Sequence, residues 1–204
     1  MRILCCSILF ALAALFVLGC GGGKSTVQSG SQSGSQKASQ TATNCNEPDW
    51  YRTPPEDPNY FFAPATATSQ DMQLAVDKAT AAGRTEIGRQ ADVRIQGLQK
   101  RFSEETGVGT DAQLLDMFTQ ASKTVVSTSL TGSRAKYQEH CKDGDIWRAY
   151  VLVQYPINGT NQALVQQIKN HEQMYTRFRA SQSFKDLEDE VSKYEQYKKE
   201  QEGK

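Results

Sequence analysis

Apolar residues recur along this chain with two different periods, and the switches between them mark out its elements. From Tyr60 to Thr68 the pattern alternates, with Phe61, Ala63, Ala65 and Ala67 on one face. That predicts a first strand whose small side chains let a helix lie close. Ser69 is the expected N-cap, with Asp71 in the first turn, where a helix favours negative charge. Val76, Ala79, Gly83, Ile87, Ala91, Ile95, Leu98 and Phe102 then follow at steps of three or four, predicting one long helix that ends near Thr106-Gly107. Gly83, Gly88 and Gly97 each weaken a helix by about 1 kcal/mol relative to Ala. Gly83 lies on the stripe and reads as a position of close packing.

Thr110-Asp111-Ala112-Gln113 has the form of a capping box and opens a second helix, with Leu114, Phe118, Ala121 and Val125 inward and a stop at Leu130-Thr131-Gly132. The period then returns to two. Ala135, Tyr137, Glu139 and Cys141 alternate with Arg134, Lys136, Gln138 and His140. Lys142-Asp143-Gly144-Asp145 makes a turn in which Asp-Gly supplies the hairpin shape, and the return strand Ile146 to Tyr155 carries Trp147, Ala149, Val151 and Val153 on one side. Pro156 ends that strand. Asn158-Gly159 with Thr160 leads to a third helix with the stripe Leu164, Ile168, Tyr175 and Phe178. A last helix begins at Ser183, with Phe184, Leu187, Val191 and Tyr194 on its seam until Lys198 breaks it. A self-associating coil, packing back on the domain and a solvated tail are the three readings it leaves open. Upstream, Asp49-Trp50-Tyr51 with Pro54, Pro55 and Pro58 reads as an extended, aromatic-bearing segment.

The amino-terminal region obeys neither period. Met1-Arg2 is a short positive end, and Ile3 to Leu18 is an apolar run shorter than the roughly 20 residues a spanning helix needs. Gly19 stands directly before Cys20. This spacing resembles the bacterial lipoprotein signal, which implies cleavage of residues 1–19, a diacylglycerol on the Cys20 sulfur and acylation of its new amino group. Each buried methylene contributes roughly 0.8 kcal/mol, and two or more chains hold where one is marginal. The expected product is anchored to a bilayer without spanning it. Gly21, rather than an Asp, follows Cys20, which favours the outer membrane, facing the periplasm.

Residues 20–48 form the expected tether. From Gly21 to Asn44, 18 of 24 residues are Ser, Gly, Gln or Thr, a composition that buries too little to offset its ordering entropy. Such a coil lets the folded part range roughly 25–30 Å from the bilayer. Gly22-Gly23-Lys24-Ser25 has the look of the end of a phosphate-binding loop, but Leu18 stands where that motif needs its first glycine. With Cys5 and Cys6 removed and Cys20 lipidated, Cys45 and Cys141 remain. In an oxidising compartment these two form a disulfide or persist as separate thiols.

Lys plus Arg and Asp plus Glu each total 23 among 204 residues, so no net field draws the chain to nucleic acid. His140 and His171 have no spacing that links them to a cysteine, serine or carboxylate pair. No metal site, cofactor or catalytic set is expected. Glu104-Glu105 and Asp186 to Glu190 read as solvated faces.

Several segments together resemble one family. They are Asp49-Trp50-Tyr51, Asp57-Pro58-Asn59-Tyr60, Gln73-Leu74-Ala75 with Asp77-Lys78-Ala79, Leu130-Thr131-Gly132-Ser133, and Tyr150-Val151-Leu152-Val153 with Tyr155-Pro156. With a signal ending in cysteine, they resemble the LPP-twenty lipoproteins of bacterial outer membranes. The resemblance spans Asp49 to about Val191 and implies helices on an open-faced sheet in a membrane-attached, surface- or flagellum-associated protein. No catalytic residue comes with it. The expected fold is α+β: a small antiparallel sheet of about three strands, covered on one face by long helices in the order β-α-α-β-β-α. It occupies residues 49–182, and a C-terminal helix occupies 183–204. The function expected is a lipid-anchored interaction or structural module of the cell envelope that binds an envelope protein, itself or cell-wall material. The alternative is a small periplasmic ligand-binding protein or hydrolase, with a site assembled only in three dimensions around Trp50, Tyr51, Asp57 and Arg134.

Overall fold

The computed structural model describes residues 45–107, 109 and 111–202. The expected signal, Cys20, the tether as far as Asn44, and Thr110 lie outside the described residues. The chain runs α1 (Asp49–Arg52), β1 (Tyr60–Ser69), α2 (Met72–Thr106), α3 (Ala112–Gly132), β2 (Arg134–Asp143), β3 (Ile146–Pro156), α4 (Ile157–Asn170), α5 (Glu172–Phe178) and α6 (Gln182–Glu202). The three strands form one antiparallel sheet in the order β1-β3-β2, which makes this an α+β fold. Among the described residues no helix is long and apolar enough to cross a membrane.

The alternating pattern sorts the two faces of the sheet. Ala63, Ala149, Val151 and Val153 are fully buried on the inner face and meet Ala75, Ala79 and Ile87 of α2. The small residues of β1 and Gly83 bring helix and sheet together, and a Cβ at Gly83 would stand 2.5 Å from Val153 Cγ2. At 35 residues α2 is about 50 Å long, more than the sheet can cover. Its second half therefore enters a separate helical core, where Ile95, Leu98 and Phe102 pack with Phe118, Ile168, Phe178 and Phe184. The last helix packs back on the domain through Phe184, Leu187 and Val191.

On the outer face a strap from Cys45 to Pro58 shields the sheet. Tyr51 meets Tyr150 edge-on with centroids 5.1 Å apart, and Trp50 lies against Tyr137 and donates from Nε1 to Glu139 Oε1 at 2.8 Å. Tyr150 and Leu152, on the side of β3 opposite its predicted apolar face, are buried as well. A Cys45–Cys141 disulfide, Cα atoms 5.5 Å apart, fastens the start of the strap to β2.

Several local expectations are corrected. Residues 49–52 close one helical turn rather than running extended, because prolines constrain the residue before them, and those residues here are Glu47, Thr53, Pro54 and Asp57. Ser69 stays in β1 opposite Trp147, so Asp71 caps α2, accepting from Leu74 N at 2.7 Å. Asp111 likewise caps α3, one residue later than a box built on Thr110. A register shift between Ala135 and Tyr137 breaks the even alternation of β2, so Ala135 and Tyr137 do not share a face. Asp143 pairs with Ile146, which makes Gly144-Asp145 the turn's central pair, and Gly144 takes the positive φ of 63°. The helix after Pro156 starts at once, since proline's fixed φ suits a helix start. It then breaks at His171, where weak helix formers, Asn170 and His171, allow a turn that buries Met174 and Phe178.

Candidate functional site

The end of the strap, the middle of α2, the first turns of α4 and the second half of α6 enclose a cleft of about 630 Å³. Local chemistry sets each wall. Pro58 and an Asx turn, in which Asp57 Oδ1 accepts from Asn59 N at 2.8 Å, bring the strap into β1. Ile157 N then donates to Asn59 O at 2.9 Å, tying the start of α4 to the same corner. α6 is held over the cleft by Phe184, Leu187 and Val191 below, and by Lys169–Glu188 at 2.6 Å and Gln162 Nε2 to Glu195 Oε1 at 2.9 Å along its flank.

A polar network forms the floor. Asn161 is completely buried, and its Oδ1 accepts from Arg94 Nε at 2.8 Å. Its Nδ2 donates to Glu190 Oε2 at 3.0 Å and to Asn158 Oδ1 at 3.2 Å. Arg94 Nη2 also reaches Glu190 Oε2 at 3.2 Å. Burial lowers the Arg94 pKa, while the Glu190 carboxylate pulls the other way. Arginine remains charged under any such shift, so the network holds a fixed cation and its counter-charge at the cleft floor.

Tyrosines supply the walls. Tyr60, Tyr194 and Tyr197 all line the cleft. Burial raises the Tyr194 pKa, which fits a hydroxyl partly withdrawn from water. A tyrosine hydroxyl can both donate and accept a hydrogen bond.

The four residues suggested by the sequence are not gathered here. Trp50 and Tyr51 hold the strap to the outer sheet face. Arg134 begins β2 opposite Gln154. Asp57 alone lines the cleft. The His140 and Trp147 ring centroids lie 5.9 Å apart, and His171 sits at the α4–α5 break. Among the described residues no group of three His, Cys, Asp or Glu side chains is arranged to hold a metal ion.

Two acidic runs are not simply solvated. Glu105 accepts from both the backbone and the hydroxyl of Ser183 at the start of α6, and the Ser183 hydroxyl is the main cause of its lowered pKa. Glu188 and Glu190 pair with Lys169 and Arg94. Sequence reasoning missed Arg94, Asn158, Asn161, Glu190, Lys193 and Tyr197 as a set. Glu190, Lys193 and Tyr197 recur at steps of three and four beside the seam of α6 that carries Tyr194, and that polar-aromatic stripe is the signal that could have marked them.

No protein family, curated protein or solved structure was found to match this chain.

Proposed function

We propose that this protein is a lipid-anchored interaction module of the bacterial cell envelope, held on the outer membrane by acylated Cys20 and facing the periplasm. The observation that carries this reading is the order of segments before the fold: a positive end, an apolar run too short to span, Gly19-Cys20, then a stretch rich in Ser, Gly and Gln. The disulfide supports it, because a covalent clasp where the tether meets the sheet suits an oxidising compartment. The segments that resemble the LPP-twenty lipoproteins support it further, and membership of that family is part of the proposal. Fractionation of a bacterial host expressing the full chain, with crosslinking in intact cells, tests the reading. Outer-membrane fractions should hold the protein, and crosslinks should capture an envelope protein, a self-multimer or cell-wall material. A Cys20→Ser variant should leave the membrane. A soluble wild-type protein that yields monomer with every crosslinker length contradicts the reading.

A further inference from the structure

In the cleft beneath α6, flat polar groups and aromatic rings converge on one volume, and its charges balance. Arg94 and Lys193 stand against Asp57 and Glu190. Tyr60, Tyr194 and Tyr197 supply rings, and Asn158 supplies an amide already oriented by Asn161. We propose that this cleft is a binding site for a neutral saccharide segment. The inference rests on the interaction-module reading and names what the module takes, but it does not depend on lipidation.

The chemistry selects the ligand by elimination. An anion in the cleft meets Asp57 and Glu190, a cation meets Arg94 and Lys193, and an apolar ligand strips water from all four without replacing its hydrogen bonds. A neutral pyranose avoids each of these costs. Its C–H face packs on a phenol ring, and its hydroxyls both donate and accept. Carboxylate, guanidinium and amide planes each present adjacent donors or acceptors that can pair with neighbouring hydroxyls. Preorganisation favours the same conclusion. Asn161 is buried with both ends of its amide engaged, so Arg94, Asn158 and Glu190 are already aimed. The volume of about 630 Å³ lies inside the roughly 300–1,000 Å³ range of small-molecule sites.

The test uses the full-length protein in a detergent without a sugar headgroup, followed by calorimetry and amide NMR. The probes are the neutral trimer of N-acetylglucosamine, the anionic trimer of galacturonic acid, and tetra-alanine. The neutral saccharide should bind with a Kd of about 1 mM or tighter, and more tightly than the other two. Tyr197→Ala and Asn158→Ala should each weaken it about tenfold, equal to about 1.4 kcal/mol. Tyr197 is 56% exposed, so its loss leaves the fold intact, and an unchanged melting temperature verifies that. Tyr137→Ala, on the outer sheet face, should leave binding unchanged. No response at about 10 mM saccharide, tighter binding of the acid or the peptide, or binding indifferent to both cleft variants overturns the proposal. Saccharide binding retained by a Cys20→Ser protein that has left the membrane keeps the two proposals separate.

Discussion

The glycines of α2 allow the contact between helix and sheet to be measured by one substitution made at three places. Gly83 faces the sheet, and a Cβ there would meet Val153 Cγ2 at 2.5 Å, Val153 Cβ at 3.1 Å and the Ala63 carbonyl oxygen at 3.3 Å. Neither neighbour can yield cheaply. Val153 is fully buried and β-branched, with a stiff χ1, and the Ala63 oxygen belongs to backbone inside the sheet. Alanine gains about 1 kcal/mol of helix propensity, but overpacking a tight interface costs about 1–3 kcal/mol, and a backbone obstacle puts this site in the upper half of that range. Gly83→Ala should therefore destabilise by about 1–2 kcal/mol, a fall of about 3–6 °C in Tm. Gly97 has nothing within 4 Å of its added Cβ, so Gly97→Ala should gain about 1 kcal/mol and melt about 2–4 °C higher. Gly88 lies between the two. Its Cβ would meet the tip of the Leu130 side chain at 2.8 Å, and a half-buried leucine can turn aside, so Gly88→Ala should stay within about 0.5 kcal/mol of wild type. Urea and thermal unfolding followed by circular dichroism read all three. A Gly83→Ala protein as stable as wild type refutes the close-packing argument.

Other predictions concern the clasp, the cleft floor and acid stability. Non-reducing digestion should yield a peptide pair joined through Cys45 and Cys141, and Cys45→Ser should cost about 2–5 kcal/mol under oxidising conditions; two free alkylated thiols in the wild type contradict the clasp. Asn161→Ala removes a fully buried amide that bonds both Arg94 and Glu190 and should cost about 1–2 kcal/mol in urea unfolding, whereas an unchanged midpoint contradicts the network. The Glu105 carboxyl titrates lower in the folded state than in the unfolded one. Its stabilisation is therefore present above the ordinary glutamate range and is lost as pH falls through the folded value. A Glu105→Gln protein should lose less stability than wild type between neutral and acid pH, and equal losses contradict the cap at α6.

Much of the fold was legible because burial writes periodicity into sequence. The stripe from Val76 to Phe102 keeps one side of α2 turned inward along its whole length, first to the sheet and then to the helical core, and so shows one clean period. Tyr150 escaped that logic, since its ring is met by Tyr51, about a hundred residues away. The caps moved for a local reason. Ser69 is a good cap by type but is held in the sheet, and Asp71 is the next residue with a short acceptor side chain of the capping type. The cleft was illegible because its floor joins Arg94, Asn161 and Glu190 from three helices, and a polar residue on a helix flank looks the same whether water or another side chain meets it. The break at His171 carried no proline or glycine to announce it.

The anchor is tested most directly by the intact mass of the amino-terminal peptide from membrane-extracted protein. Cleavage before Cys20, with a diacylglycerol on its sulfur and a third acyl chain on its amino group, is the predicted result. A peptide starting elsewhere, or an unmodified Cys20 on a freely diffusing protein, contradicts the account.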